Sequence, residues 1–342
     1  MGSSAAGYAL EAVTLLLGTA LALGGCAPVL GVRPLSTARP GTTTFHDVQV
    51  DGRARHFLLH LPPGAAQRRV PLVLAFHGHG GNGAVLRASS RLDDAADALG
   101  FAVAYPDGTG PLGWIGLSWN AGTCCGQAHA RAVDDLAFVD TLVATLGRSP
   151  AVDATRVFAV GFSAGGMLAL RLACERAATF TAVADVAGAM PDMPCTPSRP
   201  VSVLLVQGAD DDELRFDHRT LRRPHGHAFA ESLEQALRFW ARLAGCAAGV
   251  VARDSTTARV YERAVGCPDG RAVDLVTIAR HPHAWPGGAA TWWFAPRPAP
   301  QVDASQAVLE FFQGAAERRR QHSGRSPGQR LSRPLARRPA AE

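Results

Sequence analysis

The segment that most constrains the fold is Arg156–Glu175, RVFAVGFSAGGMLALRLACE, which passes from a strand-like run into a helix-like run without a linker. β-Branched and aromatic residues fill its first half, whereas Ala, Leu and Met dominate its second half. At the joint, Gly161 and Gly165 flank Ser163 and remove Cβ atoms where the strand and the helix would otherwise collide. Such a turn exposes the central hydroxyl, so Ser163 is a candidate nucleophile, although the pentapeptide alone also fits an ordinary loop.

Strand and helix patterns alternate along most of the chain, after a predicted β-hairpin that turns at Asp51-Gly52. The strands are unbroken apolar runs, which predicts a mostly parallel central sheet with helices on both faces. Helices are predicted over 84–99, 132–146, 164–177, 228–244 and 303–312. In such sheets the ligand site lies at the carboxyl ends of the strands, and the polar motifs of this chain fall at those ends.

A serine hydroxyl is a weak nucleophile at neutral pH, so it needs a general base and an acid that orients the base. The acidic cluster Ala209-Asp210-Asp211-Asp212-Glu213 follows one buried strand. The segment His281-Pro282-His283-Ala284-Trp285 follows the last strand. The order Ser, Asp, His is the one that an α/β-hydrolase fold requires.

The oxyanion of an acyl-transfer reaction needs backbone donors. We expect one from the N–H of Ala164 and the other from the loop HGHGGN, where His79 is preferred and Gly80 is the alternative. Trp119 and Trp285 lie in aromatic segments that could line the substrate pocket, although core or rim packing explains each tryptophan equally well.

Five segments together, HGHGGN, SWNAGTCCG, AVDDLAFVDTL, the serine segment and HPHAWPGG, resemble the polyhydroxybutyrate depolymerase and feruloyl esterase group of secreted α/β-hydrolases. The lipoprotein esterases of that group have the nearest layout. The resemblance implies that Ser163 is the nucleophile and that His283, rather than His281, is the base. It places the acid three residues after Gly208, at Asp211, while Asp210 stays open because Gln207 replaces the usual histidine there.

The resemblance implies a serine esterase that works through an acyl-enzyme and needs no cofactor. The expected substrates are hydroxyalkanoate oligomers or polyesters of the polyhydroxybutyrate type. The alternative is a feruloyl or acetylxylan esterase that acts on plant cell-wall esters. We expect the enzyme to act as a monomer on an ester substrate, without nucleic acid.

Two other functions remain to be weighed. Six histidines form His-x-His pairs, at 77/79, 225/227 and 281/283, which invites a metal-binding function. These pairs lie in loops rich in Gly and Pro with no carboxylate-histidine run beside them, so we expect no metal site. A non-catalytic relative that only binds ligands would usually lose a triad member, and here all three residue types are present.

The chain ends predict export and a tail. Residues 1–26 resemble a signal peptide whose end, Leu23-Gly24-Gly25-Cys26, is similar to a lipoprotein box, although no Lys or Arg precedes its apolar core. We therefore expect a secreted or periplasmic protein, with a lipid anchor possible through Cys26. A linker is predicted over 27–44, a catalytic domain over 45–314 and a disordered Arg-rich tail over 315–342.

Charge and cysteine content fit this assignment. The net charge is +5, but residues 315–342 contain eight Arg and two Glu, so the remainder is nearly neutral. Besides Cys26 there are six cysteines, an even number suited to an oxidising compartment. Cys246 and Cys267 are the preferred disulfide pair, and the sequence leaves the pairing of Cys124, Cys125, Cys174 and Cys195 open.

Overall fold

The computed structural model describes residues 41–190, 193–213, 233–290 and 296–323, and also the backbone of 216–217 and 220–221. The predicted signal peptide with Cys26, most of the predicted linker and residues 324–342 of the predicted tail lie outside the described residues. So do His225 and His227.

A ten-stranded sheet forms the centre of the structure, in the order β1-β2-β4-β3-β5-β6-β7-β12-β11-β10. The six strands from β4 to β12 in this order are parallel, and an antiparallel pair closes each side. A separate two-stranded ribbon pairs β8 with β9. The strands are β1 (Thr42–Val50), β2 (Arg53–Leu61), β3 (Val70–Phe76), β4 (Ala102–Pro106), β5 (Val152–Phe162), β6 (Phe180–Val186), β7 (Ser202–Gly208), β8 (Phe216–Asp217), β9 (Thr220–Leu221), β10 (Val251–Ser255), β11 (Arg259–Ala264) and β12 (Val273–Ile278).

Helices cover both faces of the sheet because successive side chains of each buried strand point to opposite faces. The helices are α1 (Gly83–Ser90), α2 (Leu92–Leu99), α3 (Gly126–Ala130), α4 (Asp135–Gly147), α5 (Ala164–Glu175), α6 (Leu233–Ala244) and α7 (Ala304–Ser323). In β3, Leu72, Leu74 and Phe76 join the core beneath α4, α5 and α6, while Val73 and Ala75 join the core beneath α1, α2 and α7. The predicted α/β-hydrolase class is confirmed.

Several predicted boundaries change. The helix predicted over 84–99 is two helices, because Arg91 adopts a left-handed conformation with φ of 55° between them. The segment between Cys246 and Cys267 contains two paired antiparallel strands, β10 and β11. The first strand begins at Thr42, inside the predicted linker.

The last helix ends eleven residues later than predicted, at Ser323, and includes the start of the predicted tail. Ala315 and Ala316 are buried against the sheet, and the Arg318 Nε donates a 2.7 Å hydrogen bond to the Gly270 carbonyl. Two small apolar residues and an anchored arginine therefore keep the helix on the sheet, although the charged sequence masks its amphipathic character.

Disulfides link Cys246 to Cys267, as predicted, and resolve the pairing that the sequence left open. Cys174 at the end of α5 bonds to Cys195, and Cys124 bonds to its neighbour Cys125. Among the helices of the described ranges, none has the length and apolar character that crossing a bilayer requires.

Candidate active site

The turn between β5 and α5 holds Ser163 in an unusual backbone conformation, with φ of 53° and ψ of −119°. A Cβ on Gly161 would overlap the Gly165 backbone, and a Cβ on Gly165 would overlap the Phe76 carbonyl. Both glycines are thus required sterically, and the positive φ at serine costs about 1–3 kcal/mol that the surrounding structure must offset. This is the geometry of a nucleophile elbow.

The elbow packs against the loop that follows β3, the strand next to β5. A Cβ placed on Gly78 would lie 3.0 Å from the ring of Phe162, which precedes Ser163, so the glycine permits this close approach. The Ser163 N–H donates to the Val186 carbonyl at 2.9 Å, which ties the turn to the end of β6. Neighbouring parallel strands therefore deliver the serine and the predicted oxyanion loop to one point.

Asp211 and His283 meet at the carboxyl ends of β7 and β12. The Asp211 Oδ2 lies 2.7 Å from the His283 Nδ1, and the side chains are 0% and 8% exposed. The Glu213 N–H donates to the other Asp211 oxygen at 3.1 Å. Asp210 is exposed, and its backbone N–H donates to the His281 carbonyl. The geometry thus favours Asp211 over Asp210 as the acid.

The Asp211 carboxylate makes His283 more basic. Burial by itself would lower the pKa of His283, but the hydrogen bond and the negative charge of Asp211 outweigh it, so the pKa is raised. The His283 ring also packs against the Phe162 ring, with centroids 4.9 Å apart, and Phe162 directly precedes Ser163. The structure therefore brings the three predicted catalytic residues into one region.

His281 holds the loop that carries His283. Its side chain is 1% exposed, its Nε2 donates to the Ala284 carbonyl at 3.0 Å, and its Nδ1 accepts from the Ala299 N–H at 3.1 Å. Burial lowers its pKa, so the ring is neutral and both nitrogens are engaged. A structural role explains this histidine.

The predicted oxyanion donors lie on the two sides of the elbow. Ala164 is the first residue of α5, so its N–H belongs to a helix N-terminus, where negative charge is stabilised. In the facing loop, the Gly80 N–H already donates to the Leu117 carbonyl at 2.8 Å. This contact favours His79, which lines the adjacent cavity, over Gly80.

The prediction that Trp119 binds substrate is wrong, because its side chain is 0% exposed. Its indole N–H donates to the His77 carbonyl at 2.9 Å, and its ring packs against Phe76 and His77. Trp119 therefore supports the oxyanion loop from below. Trp285 does line the cavity, but it is only 3% exposed and donates its N–H to the Ser305 hydroxyl.

His77 is a supporting residue that sequence reasoning left unassigned. Burial lowers its pKa to about 4, so the ring is neutral. Its Nδ1 donates to the Gly78 carbonyl at 2.8 Å, and its Nε2 accepts from the Gly108 N–H at 3.0 Å. These bonds fix the loop that carries His79. The position of a histidine directly before Gly78 was the only available signal.

Asp185 and Gln207 form a second buried support, beneath the elbow. Asp185 is 1% exposed, and an added Cβ on either Gly166 or Gly188 would overlap its Oδ1. The Gln207 Nε2 bridges the Asp185 Oδ2 at 3.1 Å and the Gly188 carbonyl at 2.9 Å. Burial raises the pKa of Asp185 to about 8, although the Gly188 N–H and Gln207 favour the ionised form.

A cavity of about 350 Å³ opens beside the site. Its wall combines polar and apolar groups, with His79 and His283 on one side and mostly apolar side chains elsewhere. The apolar part consists of Val85, Leu86, Phe162, Ala284, Trp285, Ala289, Ala290, Pro296 and Pro298. An apolar acyl or alcohol group could occupy this space while its ester carbonyl approaches the elbow.

Metal binding finds no support in the part of the chain that the structure describes. Within it, no group of three or more His, Cys, Asp or Glu side chains is arranged to hold an ion. His77 and His281, one member from each of two His-x-His pairs, use both ring nitrogens in hydrogen bonds.

The elbow, the buried Asp-His pair and the parallel sheet define an α/β-hydrolase with a serine-hydrolase site. A family model described as "Esterase PHB depolymerase" matches residues 55–193. A protein named "Putative esterase NocK", from Nocardia uniformis subsp. tsuyamanensis, is 32% identical over 306 residues, which cover 82% of this chain and 85% of NocK. The chain belongs to the polyhydroxybutyrate depolymerase family of esterases, and it is a carboxylic ester hydrolase.

Further similarities agree with this assignment. Feruloyl esterase B of Piromyces equi is 27% identical over 248 residues, 70% of this chain and 44% of that enzyme. Among solved structures, an acetyl xylan esterase from Aspergillus awamori superposes with a TM-score of 0.52 at 14% identity, covering 79% of this chain and 99% of that one. The last similarity shows the shared fold.

The choice between the two acids can be tested by neutralising each. Asp211→Asn should lower kcat/KM by about 10³–10⁴-fold, as loss of the orienting acid does in related triads. It should also move the acidic limb of the pH profile to lower pH, because His283 loses the charge that raises its pKa. The matched variant Asp210→Asn should stay within about threefold of wild type. The reverse ranking would assign the acid to Asp210.

Asp185 should make stability depend on pH. Its carboxyl stays protonated in the fold up to about pH 8 but ionises near pH 4 when unfolded, so the free energy of unfolding falls between these values. Asp185→Asn should remove this slope and gain a few kcal/mol relative to wild type between pH 5 and 8. Urea unfolding at both pH values measures the difference.

Asp153→Asn is the control for that experiment. Although burial opposes it, hydrogen bonds from Thr155 and Arg156 lower the pKa of Asp153, so the carboxylate is ionised in both states above pH 5. The free energy of unfolding of Asp153→Asn should therefore differ from that of wild type by a constant amount between pH 5 and 8. A constant difference for Asp185→Asn as well would show that Asp185 is already ionised in the fold.

Proposed function

We propose that the protein is an exported serine esterase that cleaves carboxylic esters through Ser163, His283 and Asp211. The contact that carries this proposal is the 2.7 Å hydrogen bond between the Asp211 Oδ2 and the His283 Nδ1. Together with the strained turn at the half-buried Ser163, it supplies the parts of a charge-stabilised general base and a nucleophile.

The reaction begins when the His283 Nε2 takes the proton of the Ser163 hydroxyl as its oxygen attacks the ester carbonyl carbon. The carbonyl oxygen becomes an oxyanion, which accepts hydrogen bonds from the N–H groups of His79 and Ala164. When the tetrahedral intermediate collapses, His283 gives the proton to the leaving alcohol and an acyl-enzyme remains. Water, deprotonated by His283, attacks the acyl carbon in the same way and releases the acid.

The supports beneath the site favour this cycle over simple binding. The neutral His77 ring bonds to the Gly78 carbonyl and the Gly108 N–H, and the buried Trp119 indole bonds to the His77 carbonyl. These hydrogen bonds hold the loop that carries His79. Donors held in place before the reaction stabilise a developing charge without reorganisation. A protein that only bound esters would not need this rigidity on both sides of the serine.

For substrates, we propose hydroxyalkanoate oligoesters of the polyhydroxybutyrate type. The family model covers the elbow and the oxyanion loop, and the apolar wall of the 350 Å³ cavity suits short aliphatic acyl units. Aryl esters such as feruloyl esters are the second candidate. Relatives named feruloyl esterases favour them, and Phe162 and Trp285 offer aromatic surface at the cavity.

We further propose that the enzyme is exported as a monomer and anchored by a lipid on Cys26. The charge-free apolar segment before that cysteine and the cysteine pairings of the catalytic domain support this assignment.

Replacing the nucleophile tests the proposed chemistry. Ser163→Ala should lower kcat/KM for every hydrolysed ester by about 10⁴-fold or more, because no other group supplies the attacking oxygen. Ser89→Ala is the matched control, since Ser89 lines the same cavity but its hydroxyl donates to the Leu86 carbonyl. Activity of the Ser163 variant within tenfold of wild type would refute the mechanism.

The same three proteins should be assayed on a panel of hydroxybutyrate trimer, methyl ferulate, acetylated xylan and p-nitrophenyl butyrate. We expect the hydroxybutyrate trimer to give the highest kcat/KM. A preference for methyl ferulate or acetylated xylan would reject the oligoester assignment in favour of the second candidate while leaving the catalytic mechanism intact.

A further inference from the structure

The end of the sheet opposite the active site, where the parallel strands begin, is rich in arginine, and we call it the basic edge. The catalytic side chains follow the carboxyl ends of β3, β5, β7 and β12, whereas two clefts lie at the amino ends of the parallel strands. Because these strands have about seven residues, the two edges lie about 20 Å apart. The basic edge is therefore separate from the catalytic mouth.

The first cleft lies between α7 and the starts of β3 and β5. Four arginines line it, namely Arg68, Arg69, Arg156 and Arg320, with Glu317 as the one carboxylate among its lining residues. Arg69 is fixed by a 2.8 Å hydrogen bond from its Nε to the Val152 carbonyl. The Arg156 guanidinium is already balanced by Asp153 at 2.7 Å. Four arginines against Glu317 and Asp153 give this region a formal charge of +2.

The second cleft lies on the other side of α7, at the starts of β6 and β7. It has a volume of about 300 Å³ and is lined by Arg199, Arg271, Arg319 and His322. Asp269 is its one lining carboxylate and pairs with Arg271 at 2.8 Å. Burial lowers the pKa of Arg199, and the charges of Arg319 and Arg271 lower it further. Arg199 and Arg319 thus lie in one cleft beside the Arg271–Asp269 pair.

These guanidinium groups are held in place from behind. Arg199 donates to the Ala178 and Phe180 carbonyls, and the Arg319 Nη1 donates to the Thr181 hydroxyl at 3.0 Å. Neutral backbone and hydroxyl partners orient the cations without cancelling their charge. An external anion would relieve their mutual repulsion.

Both ends of the folded domain lie at this edge. His60 pairs with Val103, so the end of β2 lies beside the start of β4. Thr42, the first residue of β1, pairs with Leu61 at that same end of β2. At the other end, α7 begins where the Ala304 N–H donates to the Pro286 carbonyl and finishes beside the second cleft. The sequence after it, residues 324–342, contains five further arginines and one glutamate.

We propose that this basic edge docks the domain on an anionic phospholipid surface, with the catalytic mouth directed away from the bilayer. Seven arginines and two carboxylates line the two clefts on either side of α7, and a third carboxylate, Asp153, pairs with Arg156. The chain enters the domain at the same edge, so a tether to a membrane would present this edge to it. A basic surface adds electrostatic attraction to anionic lipids and would orient the domain on the bilayer, a step that rests on the proposed lipid anchor.

The test measures sedimentation of the full-length chain, carrying Cys26→Ser throughout to exclude lipidation, with two kinds of vesicle. One contains only phosphatidylcholine, and the other contains about 30% phosphatidylglycerol. We expect at least about tenfold tighter binding to the anionic vesicles, and loss of this preference at about 1 M salt, where the screening length is about 3 Å. Equal binding to both vesicles would overturn the proposal.

Charge reversal locates the surface. Arg68→Glu/Arg320→Glu changes two exposed residues and should weaken binding to anionic vesicles by at least about tenfold. The matched variant Arg253→Glu/Arg259→Glu makes the same charge change on the edge strand β10 and its neighbour β11 and should bind like wild type. Equal losses in both variants would point to net charge alone and refute a specific face. If circular dichroism shows that the Arg68→Glu/Arg320→Glu variant is unfolded, the milder Arg68→Gln/Arg320→Gln variant replaces it.

Two further outcomes bear on orientation and partner. Hydrolysis of a soluble ester by vesicle-bound enzyme should stay within about twofold of that of free enzyme, because the mouth faces solvent. Strong inhibition on binding would place the mouth against the bilayer and contradict the proposed orientation. Preference for duplex DNA over anionic vesicles at equal salt would assign the surface to a different polyanion. The binding measurements do not require ester hydrolysis.

Discussion

The structure depends on one sharp turn, where β5 passes into α5 through Ser163. Its positive φ is tolerated because Gly161 and Gly165 let the strand, the helix and the end of β3 approach without a Cβ between them. The Ser163 N–H bond to the Val186 carbonyl ties the same turn to β6. A backbone conformation that is unfavourable by itself is thus held by contacts from two neighbouring strands, β3 and β6.

The order of strands in the sheet explains how distant parts of the sequence form one site. β3, β5, β6, β7 and β12 are consecutive neighbours, and all of them run parallel. Their carboxyl ends therefore present the oxyanion loop, the serine, the buried Asp185 and the Asp211-His283 pair side by side. The same topology collects both domain ends and the arginine-lined clefts at the opposite edge, which separates chemistry from the proposed membrane contact.

Much of this arrangement could be predicted from sequence, because each catalytic residue follows an apolar strand and the turn at Ser163 has a local steric signature. The role of Trp119 could not, since its indole bond to the His77 carbonyl depends on how two distant loops pack. Asp185 and Gln207 were hidden for the same reason. The length of α7 was underestimated because two buried alanines leave little apolar pattern among the arginines.

The central claim is that the elbow makes one serine nucleophilic with the help of the Asp211-His283 pair. Labelling with a fluorophosphonate ester tests it directly, because phosphonylation requires an activated hydroxyl but no particular acyl group. Intact-mass and peptide analysis should find one adduct per chain, on Ser163, and the labelling rate should fall by at least about 10³-fold in His283→Ala. An adduct on a different residue, or a labelling rate that does not depend on His283, would contradict the account.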